Sequence, residues 1–186
     1  MDNEKDIIVS CQQGDLEKFS WLYDKYIKKI YDFIYFKTTH KETAEDLTSQ
    51  TFFKALEKIK TFNSDKGTFS AWLYQIARNT VIDHYRTRKK TVDIDDVWDM
   101  AEDQDIERDI DVQEKLKSVE KHLAKLKSEQ REIIIMRIWQ DMSYAEIAEA
   151  LDKSEGSCKM AFSRAINTLR REMPLEIFIM FLLLRW

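Results

Sequence analysis

The sequence predicts an all-α chain in which two small helical domains are joined by an acidic flexible linker. Three observations lead there. The 186 residues hold only three Gly and one Pro, so residues that break helices are rare. Apolar residues recur at steps of three and four over long stretches, the period of a helix with one buried face. Charge is also divided sharply along the chain. Residues 1–90 carry 16 Lys/Arg against 13 Asp/Glu, residues 91–114 carry 1 against 11, and residues 115–186 carry 13 against 10. Two mildly basic bodies thus flank a segment whose composition favours solvation over packing. The expected boundaries are a first domain at 1–90, the linker at 91–114, a second domain at 115–174 and an apolar tail at 175–186.

In the first body, Phe19, Leu22, Tyr23, Tyr26, Ile30, Phe33 and Ile34 follow one another at helical steps and are expected in the core. Thr39, three residues before Glu42, has the spacing of a capping box. It opens a predicted helix over 41–59, with Ala44, Leu47, Thr51, Phe52, Ala55 and Ile59 inside and Glu45, Asp46, Ser49, Gln50 and Lys54 outside. A polar loop follows over 61–67, where Gly67 permits a turn closed to other residues. The next helix, 68–90, carries two stripes. Leu73, Tyr74, Ala77, Val81 and Tyr85 suit packing, while Trp72, Ile76, Asn79, Asp83 and Arg86 form a second line at steps of four and three. An exposed tryptophan beside amide and guanidinium groups offers unstacked bases a platform worth about 1–3 kcal/mol each. The competing reading buries Trp72 under a neighbouring helix. The basic end of this helix, residues 86–90, suits duplex phosphates.

In the second body, Ser143 and Glu146 form another capping-box pair before a predicted short helix, 144–151. A tight turn at 152–154 leads to Ser154, placed to cap a longer helix with Gly156 and Ser157 in its first turn. Cys158, Phe162, Ala165 and Leu169 fall on one arc of that helix. Lys159, Met160, Ser163, Arg164, Asn167, Arg170 and Arg171 fall opposite. Two short helices joined in this way follow the helix-turn-helix plan, whose second helix enters the major groove. The plainer alternative is a helical hairpin with a solvated outer face. If both bodies grip nucleic acid, the linker reaches up to about 80 Å when extended, or roughly two turns of duplex.

Other classes are disfavoured. No apolar run reaches the ~18–20 residues of a membrane span, and the charged start, Met1 to Asp6, lacks signal-peptide order. A cytoplasmic protein is expected. Cys11 and Cys158 are expected as reduced thiols, without a disulfide framework or metal cluster. His40, His84 and His122 are isolated from any nucleophile or ligand pair, and no glycine-rich phosphate loop is present. No enzyme, cofactor, metal or small-molecule substrate is therefore expected.

These pieces together resemble the extracytoplasmic-function (ECF) subfamily of bacterial sigma factors, within the sigma-70 family, over nearly the whole chain. Ala44-Glu45-Asp46-Leu47-Thr48 followed by Phe52 resembles the region 2 motif that docks on the polymerase β′ clamp helices. Trp72 to Asn79 with Asp83 and Arg86 resembles the adjoining helix that reads and melts the minus-10 element. Leu126 to Arg131, Tyr144 to Ala148, Gly156 to Lys159, Arg164-Ala165 and Leu169-Arg170 resemble region 4, a helix-turn-helix that reads the minus-35 element.

The resemblance implies a subunit that binds core RNA polymerase, both β′ and β, and directs promoter-specific initiation. Glu45, Asp46 and Gln50 would face β′. Asn63, Ser64 and Lys66, with Trp72, Ile76, Asn79, Asp83 and Arg86, would hold the minus-10 strand. Ser154, Ser157, Lys159, Ser163, Arg164 and Asn167 would contact the minus-35 duplex. It further implies an anti-sigma factor as partner, often one that sequesters the protein at the membrane, and a linker that threads the RNA-exit path. The chain departs from many members at Met160-Ala161, where they carry Ser or Thr followed by Arg, and in its apolar end, 177–184. That end is expected to bury against the second domain, with an inhibitor or membrane contact as alternatives. A stand-alone helix-turn-helix regulator is the competing function; it needs no single-strand pocket and no polymerase.

Overall fold

The structure, a computed structural model, describes residues 3–38, 40–88, 118–119 and 121–183, and helices are the regular secondary structure throughout them. The chain divides into two compact units, Met1–Thr91 and Val92–Trp186. The expected linker at 91–114 lies outside the described residues.

The first unit opens with a helix that the sequence pattern did not announce, α1 at Glu4–Gln12, which buries Ile7, Ile8 and Cys11. Its charged first turn masks a stripe of only three residues. Gly14, at φ 108°, turns the chain through a conformation that side chains disfavour. A short 3-10 turn, Leu16–Lys18, leads into α2, Phe19–Thr38. Six of its seven expected core residues are buried. Tyr23 is the exception at 41% exposure, its ring resting against Phe52 with centroids 4.8 Å apart. It sits at the rim because Leu22 and Tyr26 already occupy the centre of the buried face.

Helix α3 spans Lys41–Lys58, and its inner face is buried as the pattern requires. Its cap differs from the expectation. His40, rather than Thr39, precedes the helix in an extended conformation, and its Nδ1 accepts the Thr43 N–H at 3.3 Å. Thr39 lies outside the described residues. Helix α4, Phe69–Arg88, starts behind Thr68, whose Oγ1 accepts from the Ala71 N–H at 3.2 Å. Its apolar stripe of Leu73, Tyr74, Ala77, Val81 and Tyr85 is wholly buried against α2 and α3. Edge-on aromatic contacts such as Phe33 with Tyr74, 5.2 Å between centroids, tie α2 to α4.

In the second unit, α5 at Ser128–Ile134 runs into a π-helical turn, Ile135–Trp139, which carries Ile135, Met136 and Trp139 into the core. Helices α6, Tyr144–Leu151, and α7, Glu155–Glu172, pack on one another and α7 also packs on α5. Pro174 cannot continue α7, and the chain restarts as α8, Leu175–Leu183. The apolar end thus forms a helix docked on its own unit. Phe178 and Phe181 are buried, with the Phe181 ring 5.7 Å from that of Trp139, whereas Leu175, Ile179 and Leu182 remain exposed.

Candidate functional site

The helix-turn-helix geometry is built by local hydrogen bonds. Ser143 Oγ accepts the Glu146 N–H at 3.2 Å, and Glu146 Oε2 accepts the Ser143 N–H at 2.8 Å, which closes a reciprocal capping box on α6. Asp152 then enters the left-handed region at φ 54°, and the Lys153 N–H donates to the Ala148 carbonyl at 2.8 Å. That sharp reversal places Ser154, whose Oγ accepts the Ser157 N–H at 3.2 Å, at the start of α7.

Cys158, Ala165 and Leu169 of α7 are buried, which turns Lys159, Met160, Ser163, Arg164, Asn167, Arg170 and Arg171 outward. Phe162 is half-buried, with its ring 5.9 Å from Tyr144. Lys159 Nζ reaches Glu155 at 3.1 Å in an exposed i,i+4 pair and lies 5.7 Å from the centre of the Tyr144 ring. Such surface pairs contribute about 0–1 kcal/mol, so an incoming anion can compete for the lysine. Arg137 also stands 5.2 Å from the Tyr144 centroid, and it donates to the Met142 carbonyl at 2.8 Å.

In the first unit the loop at 62–68 and the outer stripe of α4 come together. Trp72 is half-buried: its indole lies 5.4 Å from Phe62 and 5.5 Å from Phe69, in an aromatic group that continues to Tyr26. Neither of the two sequence readings is met in full, because the ring is backed by the core on one side and remains partly accessible on the other. Asn63, Ser64 and Lys66 are exposed beside it, and Asn63 Oδ1 accepts the Asp65 N–H at 2.8 Å to shape the loop. Asn79, Asp83 and Arg86 are exposed along α4, with Ile76 half-buried between Trp72 and Asn79.

Two side chains that hold this arrangement escaped the sequence reading. Gln12 of α1 donates to the carbonyls of Ile59 at 3.1 Å and Phe62 at 2.7 Å, which pins the loop's entrance. A lone glutamine carries no periodic signal of such a role. Lys54, expected on the outer face of α3, instead crosses to α4, where Nζ meets Thr80 Oγ1 at 3.2 Å and Asp83 at 3.9 Å. A four-carbon stem lets it reach around the helix flank, so its position on a helical wheel misplaced it.

The outer face of α3 presents Glu45, Asp46, Ser49 and Gln50, all exposed. Phe53, 63% exposed, stands among them, three residues beyond Gln50 and four beyond Ser49. It too was missed. The Phe52-Phe53 pair cannot both face inward on a helix, and that constraint was the available signal.

Both units match known family profiles: that described as "Sigma-70 region 2" over residues 22–91, and that described as "Sigma-70, region 4" over residues 116–169. Among curated proteins, the chain is 32% identical over 161 residues to RNA polymerase sigma factor YlaC of Bacillus subtilis, covering 82% of this chain and 90% of that one. The chain belongs to the RNA polymerase sigma factors of the ECF class. It is 30% identical to ECF RNA polymerase sigma factor SigX of the same organism, over 86% of this chain and 85% of SigX. ECF RNA polymerase sigma factor BldN of Streptomyces coelicolor is 35% identical over 91% of this chain, and the chain spans 65% of BldN's length.

The sigma-factor fold is shared with solved structures as well. That of CnrH in complex with the cytosolic domain of CnrY matches with a TM-score of 0.73 at 20% identity, over 91% of this chain and 96% of that one. The sigma factor RpoE of Bartonella quintana, solved with the anti-sigma factor NepR, matches with a TM-score of 0.64 at 26% identity, over 83% and 96%. The region 2 match contains α3, the loop and α4, and the region 4 match contains α6 and most of α7.

Proposed function

We propose that this sigma factor is a promoter-specificity subunit that joins core RNA polymerase through the α3 face, melts and holds the minus-10 strand with the Trp72 face, and reads the minus-35 duplex with α7. The observation that carries the reading is the exposed basic-polar face of α7. Its helix is fixed from both ends of the turn by caps and is presented by a unit whose partner unit carries a separate aromatic-and-amide face. A duplex reader alone has no use for a half-accessible tryptophan beside an exposed polar loop, whereas unstacked bases do.

Glu45, Asp46 and Gln50 supply the polar contacts to β′, and Phe53 supplies an apolar anchor one turn beyond Gln50 on the same face. Trp72 provides the stacking surface, while Asn63, Ser64, Lys66, Ile76, Asn79, Asp83 and Arg86 surround the captured strand. Unstacking costs a few kcal/mol per base, supplied by binding energy, and this chain carries out no catalytic step. Ser154 and Ser157 lie at the N-terminus of α7, which suits phosphate. Lys159, Ser163, Arg164 and Asn167 face the base edges. The protein acts in the cytoplasm and is held inactive there by an anti-sigma factor, as RpoE of Bartonella quintana is found with NepR. A run-off assay with purified chain, core polymerase and genomic promoter fragments tests the reading. Discrete promoter-dependent transcripts are expected, and transcripts that do not depend on the chain would contradict it.

A further inference from the structure

The outward strip of α7 runs Gly156, Met160, Ser163, Asn167 and Arg170, at steps of four, three, four and three, with Lys159 and Arg164 flanking it. Every member but two is polar or basic. Met160 stands on the centre line at 56% exposure, an apolar chain in water that its own fold leaves uncovered. Gly156, one turn earlier, is the other oddity. Gly is a poorer helix former than Ala, yet a Cβ there would meet nothing within 4 Å, so no internal crowding requires it. Helical side chains lean toward the preceding turn, so Met160 stands on the side of α7 that Gly156 opens, and no atom comes within 4 Å of the Cβ that Gly156 lacks. The result is an exposed apolar side chain one turn beyond an open glycine, on a face whose flanking charges suit a polyanion.

We infer that Met160 reads the C5-methyl group of a thymine in the upstream promoter duplex, with Gly156 leaving room for that methyl against the helix. The inference rests on α7 being the recognition helix. Among the groups displayed in the major groove, the thymine methyl is the apolar one. A flexible, polarizable thioether is suited to close on it, while Lys159 and Arg164 keep the polar contacts on either side. The sequence preference of this sigma factor then includes a thymine fixed by shape and hydrophobicity rather than by a hydrogen bond.

The test uses holoenzyme reconstituted from the full chain and core polymerase. It selects from a duplex pool randomised over the upstream element, and each thymine in the selected duplexes is then replaced singly by deoxyuridine, which removes the methyl alone. Burial of one methyl is worth about a fourfold change in affinity. Wild-type holoenzyme should therefore lose about fourfold at one position. Met160→Ala should bind the thymine and deoxyuridine duplexes equally and retain the positions read by Lys159 and Arg164. Gly156→Ala should weaken the thymine duplex selectively while its thermal midpoint stays unchanged or rises. A selected element without thymine, a neutral response to every deoxyuridine, or the same penalty in Met160→Ala would each overturn the inference and leave the sigma-factor reading intact. If no sequence is selected at all, the recognition-helix reading fails with it.

Discussion

Lys159 and Arg164 bear on upstream recognition most simply, because both are exposed on α7 and Lys159 is held by weak surface contacts, the pair with Glu155 and the face of Tyr144. Lys159→Ala and Arg164→Ala should each weaken binding of holoenzyme to the upstream element by about 1–3 kcal/mol if they contact bases, measured by duplex titration at fixed salt. Phe53→Ala should cost more than about 1 kcal/mol of affinity for core polymerase, as a buried anchor does. Its exposure in the free chain means that the urea midpoint should scarcely move. Cys158 makes a different prediction. Burial, with Glu129 adding to it, raises its thiol above the ordinary value of 9.0. A group with a raised folded pKa contributes its full stability below the unfolded value and loses it as pH climbs toward the folded one. Stability should thus fall as pH rises above about 8.5 more steeply in the wild type than in Cys158→Ala, by urea denaturation at each pH. Residues on regular stripes, such as Leu73 or Ala165, were legible in the sequence because periodicity fixes their side. Gln12, His40 and Lys54 were not, since each acts through one reach of one side chain that no period encodes.

At the scale of elements, the turn between α6 and α7 decides whether the recognition face is presented. Ser143→Ala opens the capping box and should cost about 0.5–2 kcal/mol in chemical denaturation. Asp152 occupies the left-handed region at φ 54°. Replacement by Gly removes a strain of about 1–2 kcal/mol, offset in part by Gly's greater freedom when unfolded. Asp152→Gly should therefore be neutral or stabilising, and Asp152→Val should destabilise. Helices α6 and α7 were readable to within a residue or two because Ser143, Glu146 and Ser154 are chemical punctuation. Helix α1 went unread because three buried side chains, Ile7, Ile8 and Cys11, sit among charges that dominate the local composition. The apolar end resolves into half a core helix: Phe178 and Phe181 face inward and Ile179 and Leu182 do not, a division that an uninterrupted apolar run hides.

At the scale of the whole molecule, the two units serve one task only if a larger assembly engages both. Composition already separated them, through the shift from +3 to −10 to +3 along the chain. The ECF class is supported by relatives that align over most of their own length, such as SigX at 85%. The central claim is that this chain is a polymerase subunit rather than a free-standing DNA binder. The most direct measurement is a titration of core RNA polymerase with fluorescently labelled full-length chain, free of any inhibitor protein. A saturable one-to-one complex that Glu45→Lys and Phe53→Ala weaken is the expected result. Failure to associate with core polymerase, alongside tight binding of promoter duplex by the chain alone, would contradict it.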